Sequence, residues 1–216
     1  SCWGQRYCKY LCTKRVRRRK QKRKGKRQVI PNRQPLDLRP RTRGLHHFEG
    51  DTFLSPKRLK TTAAGLLLCD RETKFLAGRR LANLKPKSVV SAVCEVTEDE
   101  IQADTLTWDN GFENRNHEQF GVDSYFCDPH SPWQKPHVEQ SIGLLRRWFI
   151  PKGTDLREVS EEKLQEYLCI LNHKWRRSLN YKSAYEAALE KGVIIKKSRE
   201  VSTLLALREV AFQVRI

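Results

Sequence analysis

The stretch that decides the fold is residues 63–69, with the sequence Ala-Ala-Gly-Leu-Leu-Leu-Cys. A continuous apolar run of this length predicts a strand that is buried on both faces. The flanking segments 45–54 and 74–81 predict two further strands, and the polar residues Asp70-Arg71-Glu72 predict the turn before the second of them. Three consecutive strands joined in this way predict an antiparallel meander.

Helices and strands alternate after the meander. Pro86 occupies the first position of a predicted helix whose valines share one face, and residues 105–108 predict a fourth strand. Residues 124–127 predict a short fifth strand, the polar stretch before it is compatible with a further helix, and another helix begins at Pro136. The element order β-β-β-α-β-(α)-β-α predicts an α/β fold with five strands.

The helix that begins at Pro136 carries an acidic residue at the edge of its apolar face. Four apolar residues form that face: Val138, Ile142, Leu145 and Phe149. At 100° per residue, Glu139 lies at the edge of this stripe, beside Gly143, which has no side chain, and between the cations Arg146 and Arg147. Because two cations flank Glu139, we expect this side of the helix to face a polyanion.

The chain divides into three predicted parts. Residues 1–43 form a basic arm and linker, and residues 44–157 form a compact core. Residues 158–216 form a helical extension, in which Ser160 predicts the N-cap of one helix and a second helix ends before Gly192.

Positive charge is concentrated in the arm. The sequence has 43 Lys and Arg against 25 Asp and Glu, a net charge of +18, and 17 of those cations stand in residues 1–43 beside one acid. The tract at 14–27 cannot form a packed core, and its plain alternative role is a solubilising charge run. Cations at this density favour nucleic-acid contact, because neutralised phosphates release counterions. The candidate DNA contacts of the tract are Arg17, Arg18, Arg19, Lys20, Lys22, Arg23 and Lys24.

Hydropathy and cysteine usage exclude some classes of protein. The mean hydropathy is −0.72, and no apolar run approaches the roughly 18 residues of a membrane span, which excludes a transmembrane protein. Seven cysteines without repeated spacing predict free thiols in a reducing cytosol rather than a disulfide framework. A zinc site at Cys8 and Cys12 is disfavoured, because the nearest histidines, His46 and His47, lie beyond the basic tract. The absence of Met, even at position 1, indicates a fragment or an unusual start.

Three carboxylates stand on separate predicted elements. Asp51 lies within a strand, Asp109 ends one, and Glu139 lies on a helix that packs on the same sheet. Each has a structural alternative: a strand edge, an Asp-Asn-Gly turn and an ordinary surface position, respectively. Together they suit phosphodiester chemistry, which uses two divalent cations roughly 4 Å apart held by hard oxygen ligands.

Several separate motifs occur in a characteristic order. They are Phe48-Glu49-Gly50-Asp51-Thr52, Trp108-Asp109-Asn110-Gly111-Phe112-Glu113-Asn114, the segment 125–134, Glu139 with the segment 143–147, and Pro151-Lys152-Gly153-Thr154-Asp155. Together they resemble the insertion-sequence-thirty (IS30-type) family of bacterial DDE transposases, from about Gly25 to Gly192. The resemblance implies an RNase H-like, retroviral integrase-like core with a mixed five-stranded sheet, and a metal-binding triad at Asp51, Asp109 and Glu139.

The resemblance also implies a function. It predicts a polynucleotidyl transferase that uses Mg²⁺, with Mn²⁺ as a substitute, to cut an element end and join it to target DNA. Further expected substrate contacts are Trp133, Gln134, Lys135, Arg146 and Arg147, with a core position as the alternative for Trp133. Expected partners are double-stranded DNA and further copies of the chain, with no membrane, in a bacterial cytoplasm near the nucleoid.

This sequence departs from the family pattern in places. Family members carry an N-terminal helix-turn-helix region that does not fit in the 43 residues before the core, and His130 replaces a usual Tyr. Two alternatives follow. One is a truncated, non-catalytic remnant that still binds DNA, and the other is a basic ribosome-associated protein, which leaves the three carboxylates unexplained.

Overall fold

A computed structural model of the protein describes residues 30–42, 44–129 and 131–195. These ranges contain one mixed sheet with the strand order β1-β6-β5-β2-β3-β4. Its strands are β1 (Gln34–Pro35), β2 (His47–Leu54), β3 (Ala64–Asp70), β4 (Leu76–Leu81), β5 (Thr105–Trp108) and β6 (Asp123–Phe126). The helices of the same ranges are α1 (Pro86–Asp99), α2 (Pro136–Trp148), α3 (Glu161–His173) and α4 (Ala184–Glu190).

The predicted α/β architecture is confirmed. Strands β2, β3 and β4 pair antiparallel as a meander. Strand β5 then pairs in parallel with β2, and β6 pairs in parallel with β5. In place of the possible helix between β5 and β6, the chain makes two 3₁₀ turns, at Phe112–Asn114 and His117–Phe120. The predicted Ser160 cap of α3 forms, and Ser183 caps α4, where Glu186 completes a capping box.

The sheet has six strands rather than the predicted five. The additional strand, β1, pairs in parallel with β6, and Ile30 just before it is buried in the core. The sequence predicted an extended linker here, because two residues are too short for any strand periodicity. Pro35 lacks a backbone N–H, which is tolerated at the edge of a sheet.

Strand β3, between β2 and β4, lies between two apolar layers. All seven of its residues are buried, as its unbroken apolar sequence predicts. Leu66 and Leu68 face the layer that contains α1 and α4, whereas Leu67 and Cys69 face α2 and α3. Each fully buried leucine contributes roughly 1.5–3 kcal/mol of hydrophobic stabilisation. The sheet therefore holds α2 firmly on one face, which is the face that carries Asp51.

Helix α3 also covers the edge of the sheet at β4. The Asn172 amide accepts from the Leu76 backbone N–H at 2.9 Å and donates to the Leu76 carbonyl at 2.8 Å. Gln165 donates to the Gly78 carbonyl at 2.7 Å, and Glu161 accepts from the Arg80 N–H at 2.8 Å. Part of the predicted C-terminal extension thus shares its core and its hydrogen bonds with the sheet; the three-part division itself stays a prediction.

Two further observations concern the described part of the chain. None of its helices combines the length and the apolar character needed to cross a bilayer. Its cysteines, Cys69, Cys94, Cys127 and Cys169, are free thiols. Cys2, Cys8, Cys12 and the residues from 196 to 216 lie outside the described ranges.

Candidate active site

Asp51 lies in the middle of β2, on the face covered by α2. Its Oδ1 accepts a hydrogen bond from the Thr52 backbone N–H at 2.8 Å, and its side chain is 22% exposed. Burial raises the pKa of Asp51, and the nearby ammonium of Lys135 opposes that shift. The carboxylate is therefore held in a fixed orientation while part of it remains open to solvent.

Asp109 follows the last residue of β5, the strand that pairs in parallel with β2. Its Oδ1 accepts from the Gly111 N–H and from the Asn114 side-chain amide, each at 3.2 Å. Because β2 and β5 run side by side in the same direction, Asp51 and Asp109 lie next to each other on the same face of the sheet.

The turn after Asp109 explains why glycine stands at position 111. Glycine in an Asn-Gly turn usually adopts a left-handed backbone with positive φ. Gly111 has a φ of −72°, so a left-handed backbone does not account for the glycine at this position. A Cβ on Gly111 would lie 2.4 Å from Glu113 Oε1, so the glycine lets the Glu113 carboxylate fold back over the turn. Burial, together with the charges of Asp109 and Asp51, raises the pKa of Glu113. A fourth carboxylate therefore lies close to the predicted triad.

Lys135 joins the two aspartates. Its Nζ lies 3.0 Å from Asp51 Oδ2 and 3.8 Å from Asp109 Oδ2, and its side chain is 6% exposed. Burial disfavours the charged form, but the two aspartates outweigh this effect and raise the pKa of Lys135. The Oδ2 atoms of both acids thus reach toward one shared cation.

Glu139 lies in the first turn of α2 and is exposed to solvent. Partial burial raises its pKa, as do the negative charges of Asp51 and Asp109, whereas Lys135 lowers it. Glu139 is therefore in the same electrostatic neighbourhood as the other two acids of the predicted triad.

Glu49 is a site residue that sequence reasoning missed. Its carboxylate is fully buried, and Oε2 accepts from the backbone N–H groups of His137 at 2.8 Å and Val138 at 3.1 Å. Oε1 forms an ion pair with Arg71 at 3.2 Å. Glu49 thereby fastens the start of α2, which carries Glu139, to the strand that carries Asp51. The available signal was its spacing of two residues from Asp51, which puts both side chains on one face of the strand.

The predicted DNA contacts occupy different environments. Trp133 is 70% exposed and not a core residue, and Arg147 is exposed. Gln134 is tied to Asp128 by two hydrogen bonds of 2.7 and 2.9 Å, to its backbone N–H and its carboxylate. Arg146 donates to the Leu54 carbonyl at 2.6 Å. The arm residues Arg17, Arg18, Arg19, Lys20, Lys22, Arg23 and Lys24, like His130, lie outside the described ranges.

The residues present fit a divalent cation in their chemistry. Within the described residues, no group of three or more acidic, His or Cys side chains forms a ready-made metal site. The Oδ2 atoms of Asp51 and Asp109 nevertheless converge on one cationic group, and hard carboxylate oxygens are the ligands that Mg²⁺ prefers. The donor set is thus suitable, with Lys135 in contact with two of its members.

Curated relatives share the sequence of this core. The chain is 34% identical over 190 residues to the transposase InsI for insertion sequence element IS30C of Escherichia coli (strain K12), an alignment that covers 82% of this chain and 48% of the relative. It is 32% identical over 187 residues to the transposase for IS4351 of Bacteroides fragilis, covering 82% of this chain and 56% of the relative. The chain thus spans about half the length of the curated relatives it matches. No family model matches it.

Solved structures share the fold. The catalytic core domain of BIV integrase matches with a TM-score of 0.53 at 17% identity, over 68% of this chain and 95% of that chain. A simian T-cell lymphotropic virus intasome, solved in complex with the PP2A regulatory subunit B56 gamma, matches with a TM-score of 0.55 at 16% identity, over 74% of this chain and 60% of that chain. By sequence, the chain is therefore a homologue of IS30-family transposases over 82% of its length, and its fold is that of retroviral integrase catalytic cores.

Proposed function

We propose that the chain is the catalytic part of a DNA transposase, a polynucleotidyl transferase that cuts the ends of an insertion sequence and joins them to target DNA. The observation that carries the proposal is the convergence of Asp51 Oδ2 and Asp109 Oδ2 on one cationic group, 3.0 and 3.8 Å away. The relatives that match over 82% of the chain are named transposases, which supports it.

Each acid has a distinct role in this proposal. Asp51 and Asp109 would hold Mg²⁺, with Mn²⁺ as a substitute, and Glu139 would complete a two-metal site. When bound, such ions neutralise charge on the phosphodiester and activate the attacking oxygen. Asp51 and Asp109 each present one oxygen, because the other is held by a neighbouring N–H. The exposure of Glu139 at the start of α2 leaves the site accessible to a strand of DNA.

Double-stranded DNA, as element end and as target, is the proposed partner. The net charge of +18 steers a polyanion toward the protein and makes the affinity dependent on salt. Trp133 and Arg147 are exposed and so available to bases or phosphates. One structural neighbour is an intasome, and we extend the proposal to several copies of this chain acting together on DNA in the bacterial cytoplasm, at the nucleoid.

The proposal is tested by strand cleavage. Substrates are a supercoiled plasmid and duplexes that carry the inverted repeats flanking the gene, incubated with Mg²⁺ or Mn²⁺. We expect metal-dependent nicking that Asp109→Asn reduces by about two to three orders of magnitude, because a lost ligand removes several kcal/mol of transition-state stabilisation. Asp123→Asn, an exposed acid at the start of β6, is the matched control and should cleave like the unaltered chain.

Cleavage that survives Asp109→Asn would refute the assignment of this acid to the metal site. Duplex binding without cleavage in either metal would instead support the non-catalytic remnant, because the arm alone accounts for binding to phosphates.

A further inference from the structure

Lys135 contacts the same two oxygen atoms that the proposed metal site requires. Its Nζ is 3.0 Å from Asp51 Oδ2 and 3.8 Å from Asp109 Oδ2. The remaining oxygen of each acid is already engaged, Asp51 Oδ1 by Thr52 and Asp109 Oδ1 by Gly111 and Asn114. The Oδ2 atoms, which face Lys135, are therefore the oxygens that the fold leaves most open to a divalent cation that binds both acids.

We propose that Lys135 is a built-in counter-ion that a divalent cation has to displace from Asp51 and Asp109, so that this one side chain sets the metal affinity of the site. The proposal rests on the proposed function, because it takes the two aspartates as metal ligands. It assigns to Lys135 a positioning role toward the metal site in addition to the DNA contact expected from the sequence.

Position and charge set the two cations in competition. An Mg²⁺ ion that bound both Oδ2 atoms at about 2.0–2.1 Å would compete for the shared position that the Lys135 ammonium now occupies beside both oxygens. Two positive charges a few ångströms apart in a partly buried site also repel strongly. Without a cation between them, the two carboxylates would repel each other, so Lys135 also keeps the pair together.

The location of Lys135 gives its side chain a route out of the site. It is the last residue before α2, with exposed residues on either side of the segment at Trp133 and Pro136. A lysine has a flexible four-carbon stem, so its ammonium can turn toward solvent while the backbone stays in place. A DNA phosphate that takes the released ammonium would favour metal binding, and by thermodynamic reciprocity bound metal would favour that phosphate contact.

The test is a Mn²⁺ titration of the full chain by isothermal titration calorimetry, without DNA and therefore without turnover. We expect Lys135→Met to bind Mn²⁺ about five- to tenfold more tightly, because the metal no longer has to break an ion pair of about 1 kcal/mol or more. Lys135→Arg keeps the charge and should remain within about twofold of the unaltered chain. Lys87→Met, which removes an exposed charge from α1 on the opposite face of the sheet, is the matched control.

The result that would overturn the inference is equal or weaker Mn²⁺ binding by a folded Lys135→Met variant. If circular dichroism shows that Lys135→Met does not fold, Lys135→Gln takes its place in the titration, and equal or weaker Mn²⁺ binding by Lys135→Gln overturns the inference in the same way. Asp109→Asn in the same titration separates this inference from the proposed function. If Asp109→Asn binds Mn²⁺ as well as the unaltered chain, the metal site itself is wrong; if it binds weakly while Lys135→Met is unchanged, the counter-ion role alone fails.

Discussion

Asp51 and Asp109 each divide their two oxygens between the scaffold and the site. In both residues Oδ1 accepts from a backbone N–H one or two positions along the chain, and Oδ2 is directed toward Lys135. This division fixes the carboxylate plane through nearby backbone groups, with the Asn114 side-chain amide as a further donor to Asp109. Preorganised ligands of this kind bind a cation with little loss of conformational entropy, because the ordering occurred during folding.

Gly50, beside Asp51, has a packing requirement of its own. A Cβ there would lie 2.3 Å from Cζ3 of Trp108, whose side chain is completely buried. We expect Gly50→Ala to lower the free energy of unfolding by about 1–3 kcal/mol or more, because the ring cannot move aside in a close-packed core. Urea denaturation followed by tryptophan fluorescence measures this loss.

Gly143 provides a control, because an alanine there should change the free energy of unfolding in the opposite direction. It lies within α2, and a Cβ there would meet no atom of the described residues within 4 Å apart from the adjoining backbone of its own helix. Gly143→Ala should therefore raise the free energy of unfolding by about 0.5–1 kcal/mol, through helix propensity alone. Equal effects of the two alanine substitutions would contradict the packing explanation for Gly50.

Sequence reasoning at this scale could identify acids but not the cation among them. Asp51, Asp109 and Glu139 were predicted together because they stand in motifs whose order resembles the IS30-type family. That Lys135 is buried follows from a loop conformation before α2, and no periodic pattern encodes it. The role of Glu49 was obscured because a glutamate in a strand has many ordinary explanations, and its partners, the backbone groups of His137 and Val138, lie almost ninety residues away along the chain.

Glu49 joins strand β2 to the start of helix α2, so the two elements are held together by a buried side chain. A buried carboxylate at the N-terminus of a helix is stabilised by the free N–H groups and by the helix dipole. Its negative charge is also matched by Arg71. The pair therefore fastens the helix that carries Glu139 to the strand that carries Asp51, although the two come from distant parts of the sequence.

Glu49→Gln tests this connection. The amide keeps the shape but loses the charge that faces Arg71 and the helix start, so we expect the free energy of unfolding to fall by about 1–3 kcal/mol. The Mg²⁺ concentration for half-maximal cleavage should rise as well, since Glu139 is less firmly held. Glu98→Gln on the exposed side of α1 is the control, with a change within about 0.5 kcal/mol. An unchanged unfolding midpoint for Glu49→Gln would show that the helix start is held by other contacts.

Most helices and strands could be predicted from the sequence, and those that could not are short. The meander, α1 and α2 have long apolar patterns; the predicted limits of the three strands differ from the structure by two residues or fewer, and both helices begin at the predicted prolines. Strand β1 spans two residues and exists because Ile30 and the segment after it pack against the rest of the core. The 3₁₀ turns between β5 and β6 likewise lack a helical period and depend on tertiary contacts.

At the scale of the whole described fold, helix α3 is attached to the edge strand β4 of the sheet. Helix α3 buries apolar residues against the sheet and places polar side chains along β4. Among these polar side chains, Asn172 makes the paired hydrogen bonds to the Leu76 backbone.

Asn172→Leu tests the strength of that attachment. Both Leu76 backbone groups would lose their partners in a buried environment, so we expect a loss of about 2–4 kcal/mol in the free energy of unfolding and a greater tendency to aggregate. Thermal denaturation and light scattering measure the two effects. Gln140→Leu, on the exposed side of α2, makes a similar chemical change without buried hydrogen bonds. Similar losses for both variants would show that general hydrophobicity, rather than the Leu76 contacts, is responsible.

The two borders of the sheet are closed to extension in different ways. Along β4, the polar side chains of α3 already occupy backbone groups that another strand would need, and at the opposite border β1 is two residues long and ends in Pro35. Cross-chain strand addition of the kind that builds fibrils is thereby discouraged. At these two borders of the described sheet, the several copies proposed to act on one DNA molecule would accordingly meet through side chains rather than through added strands.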